Sequence, residues 1–219
     1  MSTESKDKIK IKDNIDRLLL VEGKDEVGFF EPYIEHLSNK GELSNASSIQ
    51  IINVGGIRNF SLNFGILSSD DKFKQIIRFG FIRDAEENSK EAFDSIKDII
   101  AKYGLPVPQE AGTIEKKNNL WTGIFIMPDN LHKGALENLV IKTVKDRKEY
   151  KCVEDFIKCI PKYKSTNSKS RRAKASVLAY LASQKEIVNS LGLGASKKYW
   201  DFDHKSLSKL KNFIIALMV

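Results

Sequence analysis

The feature that most constrains this chain is a series of short apolar runs, each ending in acid or glycine and most followed by a segment of helical period. Arg17–Val21 (RLLLV) stops at Glu22-Gly23, and residues 48–54 (SIQIINV) stop at Gly55-Gly56. Residues 74–84 (KQIIRFGFIRD) end at Asp84-Ala85-Glu86-Glu87, and Leu120–Met127 (LWTGIFIM) runs into Pro128-Asp129. Runs of this length and composition, bounded by turn residues, read as buried strands. A weaker strand is predicted over 111–115. Helical periods lie between them. Val27, Phe29, Phe30, Tyr33, Ile34 and Leu37 follow Asp25, which is placed to cap a helix that Pro32 is expected to delay or bend. Phe60, Phe64 and Leu67 mark a second helix. Phe93, Ile96, Ile100 and Tyr103 mark a third, and a fourth opens near Gly134 with Leu136, Glu137, Leu139 and Val140. Strand alternating with helix predicts an α/β fold, a mainly parallel sheet flanked by helices.

From residue 146 onward no strand is predicted. Apolar faces recur at helical spacing in Val153, Phe156, Ile157 and Ile160, in Val177, Leu178 and Leu181, and in Leu207, Leu210, Phe213, Ile214 and Leu217. The expected organisation is a flexible N-terminus over 1–14, an α/β domain over 15–145, and a helical C-terminal extension over 146–219 packed on it. Trp200, Phe202 and His204 are expected to dock the last helix, with Asp203 as its N-cap. Cys152 and Cys159 are read as buried free thiols, because seven residues of helix separate them too far for a disulfide.

The net charge of +7 conceals an asymmetry. Residues 1–140 carry 18 Lys and Arg against 22 Asp and Glu, whereas residues 141–219 carry 18 against 7. So basic a tail suggests a polyanionic partner, nucleic acid first. Within it Lys162, Lys164, Lys169, Arg171, Arg172 and Lys174 are the candidate phosphate contacts. No apolar run approaches the roughly 18 residues of a membrane span, and the polar first residues lack a signal peptide's apolar core. A cytoplasmic protein is expected.

In an open parallel sheet, ligands bind beyond the carboxyl ends of the strands. Three predicted strands end in acid there, at Glu22, at Asp84 with Glu86, and at Asp129, while Glu26 and Glu137 are placed to face the same edge. Crowded carboxylates repel unless protons or a cation neutralise them. Mg²⁺ prefers carboxylate oxygen and substrate phosphate, and a carboxylate beyond the metal serves as general acid or base. Gly55-Gly56 lacks the rest of a phosphate-binding fingerprint and is read as a turn.

At these residues the sequence resembles the Toprim fold shared by topoisomerases, bacterial primases, OLD-family nucleases and a ribosomal-RNA maturase. LLLVEGKDE (18–26) matches that family's strand ending in Glu-Gly. FIRDAEEN (81–88) matches its Asp-x-Asp motif with one departure, Glu86 for the second Asp. IFIMPDNLHKGALENL (124–139) and KYWDFDHKSL (198–207) look like a family of stand-alone Toprim-like proteins of unknown function. The resemblance implies Glu22 as general acid/base and Asp84 and Glu86 as Mg²⁺ or Mn²⁺ ligands. The Glu22/Glu26 pair looks like the paired acids of OLD-type nucleases, where two-metal cleavage is the associated chemistry. The expectation is a metal-dependent, nuclease-like protein in which Glu22 and Glu26 act with Asp84, Glu86, Asp129 and Glu137. The alternative is a Toprim module, catalytically weak or inactive, that binds nucleic acid or a partner protein.

Overall fold

Continuous apolar runs give the predicted strands two buried faces, and a sheet of such strands must be covered on both sides. The structure, a computed structural model, describes residues 9–161 and 169–219 and meets that requirement. Five strands, β1 (Arg17–Val21), β2 (Ile49–Asn53), β3 (Arg78–Asp84), β4 (Ile114–Lys117) and β5 (Leu120–Met127), form one sheet in the order β2-β1-β3-β5-β4. β2, β1, β3 and β5 run parallel, and β4 closes the far edge antiparallel to β5. On β1, Leu18 and Leu20 enter one apolar cluster and Leu19 and Val21 the other, as a two-residue period requires.

The helices divide between these clusters. α2 (Ile57–Ser68) and α3 (Ser89–Lys102) cover one face with Phe60, Phe64, Phe93, Ile96 and Ile100. α1 (Lys24–Asn39), α4 (Leu136–Val144), α5 (Lys148–Cys159), α6 (Lys169–Ala182), α7 (Leu191–Ser196) and α8 (Ser208–Met218) contribute to the other. The segment after residue 146 thus shares one core with the sheet. Ile11 is buried as well, and its N–H donates to Asp70 Oδ2 at 3.3 Å. Among the described residues no helix is long and apolar enough to cross a membrane.

Several local expectations are corrected. α1 starts at Lys24 with Gly23 as N-cap and no side-chain cap, and Pro32 lies inside the helix. Asp25 instead faces α7, whose Gly192 N–H points at its Oδ1 from 3.5 Å. The third strand starts at Arg78 because Asp70 caps a single 3₁₀ turn over Asp71–Gln75. The weak strand lies at Ile114–Lys117, where it forms a hairpin with β5. Asp203 is no helix cap; it accepts from Lys40 Nζ at 2.6 Å and lies 3.1 Å from His36 Nε2. The cysteines are exposed, because α5 buries Tyr150, Val153 and Ile157 and turns Cys152 and Cys159 outward. Trp200 and Phe202, expected to dock the last helix, are buried, Trp200 against Tyr180 of α6 and Phe202 against Phe29 and Tyr33 of α1.

Two close approaches hold the tail in place. Gly28 of α1 meets Gly192 of α7 so closely that a Cβ on either would lie 2.9 Å from the other's Cα. At the sheet's centre Gly80 and Gly123 stand in register on β3 and β5 and leave a slot. α8 fills it, so that a Cβ on Gly123 would meet the Phe213 ring at 2.8 Å and one on Gly80 would meet Leu217 at 2.9 Å. A branched side chain there has nowhere to go. Gly123→Val is expected to destabilise the protein by about 1–3 kcal/mol through overpacking, read as a lower urea midpoint. An unchanged midpoint would mean that α8 does not seat on the strands as described.

Candidate acidic site at the carboxyl edge of the sheet

The middle strand of the sheet is β3, and its last residue is Asp84. The register sets Asp84 beside Met127 of β5 and Ile82 beside Val21 of β1, so the carboxyl ends of the three central strands are neighbours. Asp84 is 7% exposed. Its Oδ1 accepts the N–H of Leu136, the first residue of α4, at 3.0 Å. One free N–H of a helix start thereby finds a partner, and the helix dipole favours negative charge at that point. This single donor does not offset the surroundings. Burial above all, and then the charges of Glu26, Glu137, Glu22 and Glu86, hold the Asp84 carboxyl well above the ordinary carboxylate range.

The other acids are drawn in by the same elements. Glu26 and Glu137 stand in the first turns of α1 and α4. Burial raises Glu26, with Glu137, Glu22 and Asp25 adding to it against the pull of its own N–H. Burial also raises Glu137, opposed by its own N–H and by Lys174, and reinforced by Asp25 and Glu86. Glu86 follows β3 in a left-handed conformation with φ of +50°. Its N–H and C=O both bond Gly134, each at 2.9 Å, which ties the acidic loop to the start of α4. A non-glycine residue held in this region is strained, and such strain persists only where the surroundings impose it.

Glu22 is held differently. Its Oε1 accepts from Arg83 Nε at 2.8 Å. Arg83 is itself fixed to α3, through the Ala92 carbonyl at 3.1 Å and the Ser95 hydroxyl. Burial raises Glu22 overall, although Arg83 pulls the other way. Arg83 was not foreseen from sequence, where it is simply the residue before Asp84. Asp25 bears on both Glu26 and Glu137, although by sequence pattern alone it reads only as a cap.

Asp129 stands in a different environment from these acids. Its Oδ1 accepts the N–H groups of Leu131 at 3.3 Å and His132 at 2.9 Å, and the His132 imidazole lies 3.0 Å from Oδ2. Burial opposes ionisation there, but these donors outweigh it and hold Asp129 below the usual range. Asp129, expected as a ligand, is thus engaged within its own loop, apart from the raised acids. Of the basic group, Arg171, Arg172 and Lys174 are exposed on α6, and Lys174 is the one whose charge reaches Glu137. Lys162 and Lys164 lie outside the described residues, as does the Lys169 side chain. Among the described residues no three His, Cys, Asp or Glu side chains are closed on one point as ligands. The acids share a field rather than a finished coordination sphere.

Such a field has a measurable consequence. The folded protein holds the Asp84 proton more tightly than the unfolded chain, whose aspartates ionise near pH 4. The stability tied to that proton is full below about pH 4 and is lost as pH rises through the raised folded value. Asp84→Asn keeps an acceptor for Leu136 and removes the charge. In metal-free buffer it is expected to raise the denaturation midpoint at pH 7 and to flatten the fall between about pH 4 and pH 7. A variant less stable than the parent at pH 7 would contradict this account.

Residues 16–219 match the model of a family described as "Protein of unknown function (DUF3226)". No curated protein and no solved structure matches the chain.

Proposed function

The chain belongs to the DUF3226 family, and from the residues of this member we propose that it is a metal-dependent, nuclease-like protein that processes phosphodiester bonds of nucleic acid. The observation that carries the reading is the buried Asp84 carboxyl, whose ionisation is suppressed by burial and by four acidic neighbours. A protein selected for stability alone has no reason to gather such charges at the end of its central strand, and perturbed acids of this kind cluster at functional sites. The reading takes LLLVEGKDE and FIRDAEEN as Toprim-type motifs, and it places the protein in the cytoplasm.

The donor set suits a hard cation, because every group in it is a carboxylate oxygen. Asp84, Glu86 and Glu137 would hold Mg²⁺ or Mn²⁺, and relief of the Asp84 field would favour binding. The cation, when bound, polarises a phosphoryl oxygen. Glu22 and Glu26, both raised by burial, are suited to hold or take a proton near neutral pH. Arg83 fixes where the Glu22 carboxylate points. Arg171, Arg172 and Lys174 supply backbone phosphate contacts from α6. One observation favours the quieter alternative, a module that binds nucleic acid or a partner protein without cleaving: Arg83 already neutralises Glu22.

Cleavage assays on labelled DNA and RNA separate the two. Cleavage with Mg²⁺ or Mn²⁺ is expected to stop in chelator and to fall about 100-fold or more in Glu22→Gln and in Asp84→Asn. Cleavage that survives both substitutions overturns the assignment of the site. Binding without cleavage that persists in chelator and in both variants establishes the binding module instead.

A further inference from the structure

The opposite end of the sheet carries an unexplained row of cations. Cross-strand register sets Arg17 of β1 beside Arg78 of β3, Arg78 beside Trp121 of β5, and Lys116 of β4 beside Trp121. Residues in register share a face, so four adjacent strands present Arg–Arg–Trp–Lys along one rung. The Arg78 guanidinium and the Lys116 ammonium each lie 4.6 Å from the centre of the Trp121 ring. By strand rise this rung is roughly 20 Å from Asp84.

The three cations of the rung are held in different ways. Arg17 is committed: Nε donates to the Met218 carbonyl at 2.6 Å, and its fork reaches Asp16 and Ser48. Arg78 and Lys116, among the described residues, have neither a hydrogen bond nor an ion pair from their charged ends. Both are held only by the indole face, an arrangement that fixes a cation in position while leaving its donors free. Arg78 is half-buried, and burial followed by repulsion from Arg17 works against its charge, with Asp16 the only offset. An incoming anion would relieve that burden. A guanidinium fork matches two oxygens of one phosphate, and the Lys116 ammonium, on the strand beyond Trp121, adds positive charge to the same rung.

We propose that this rung, Arg78 and Lys116 clamped on Trp121, is a phosphate-binding site separate from the acidic edge. Its two accessible cations are fixed in place, so little side-chain entropy is lost when an anion docks. The phosphate belongs either to a small nucleotide or to a polynucleotide backbone. The site does not depend on the cleavage reading, because none of its residues belongs to the acidic group.

The test uses the full chain. Calorimetry, with tryptophan emission as a second readout, follows titration with inorganic phosphate, a nucleoside monophosphate and a single-stranded oligonucleotide of about ten nucleotides, at about 0.1 M salt. Binding is expected to weaken about tenfold or more in the Arg78→Gln/Lys116→Gln double variant and to be unchanged by chelator. Lys116→Gln alone, on the exposed edge strand, serves if loss of Arg78 prevents folding. Binding by phosphate and mononucleotide identifies a small ligand. Binding by the oligonucleotide alone, with a salt slope that falls by about 0.7 for each cation removed, identifies the backbone. Equal binding by parent and variants overturns the proposal, and so does failure of all three probes to bind.

Discussion

The architecture turns on a carboxyl group at the end of the central strand, where little of it meets water. Asp84 occupies that position because β3 is flanked on both sides by parallel strands, and because α4 begins directly over its side chain. A buried carboxylate normally finds a cationic partner or several N–H donors. Asp84 finds one N–H and four negative neighbours. The scaffold around it is correspondingly firm. The paired bonds between Glu86 and Gly134 tie one loop to the next, and the packing of α7 on α1 holds Glu26 from the other side.

The two ends of the sheet are electrostatic opposites. Acids crowd the carboxyl edge, and arginine, lysine and tryptophan share a rung near the other end. The basic tail does not simply coat the surface, because α6 brings Lys174 within reach of Glu137. The sign difference between the two parts of the chain, visible as bulk composition, thus becomes a local juxtaposition once the helices pack.

Much of the fold could be read from residue order because the strands are continuous apolar runs. Leu120–Met127 needed no context, and Arg17–Val21 was bounded by Glu-Gly. What could not be read depends on partners distant in the chain. Asp25 and Asp203 look like caps by composition, yet one faces α7 and the other pairs with Lys40 across 163 positions. Arg83 and Glu22 are 61 positions apart, and no local pattern reports such a pair. Asp84 and Asp129 both close a strand-like run and are indistinguishable by that criterion. Coordinates separate them, since Asp129 is satisfied within its own turn and Asp84 is not.

The bond from Arg17 to the Met218 carbonyl joins positions 201 apart, and the slot between Gly80 and Gly123 is filled by the same final helix. During synthesis on the ribosome, the central strands are made long before the segment that seals them. Until the segment around residue 218 is free of the ribosome, the patch of this face that α8 covers stays bare, and the side chains of Leu19 and Phe125 lack that cover. A nascent chain in that condition is a substrate for holding chaperones.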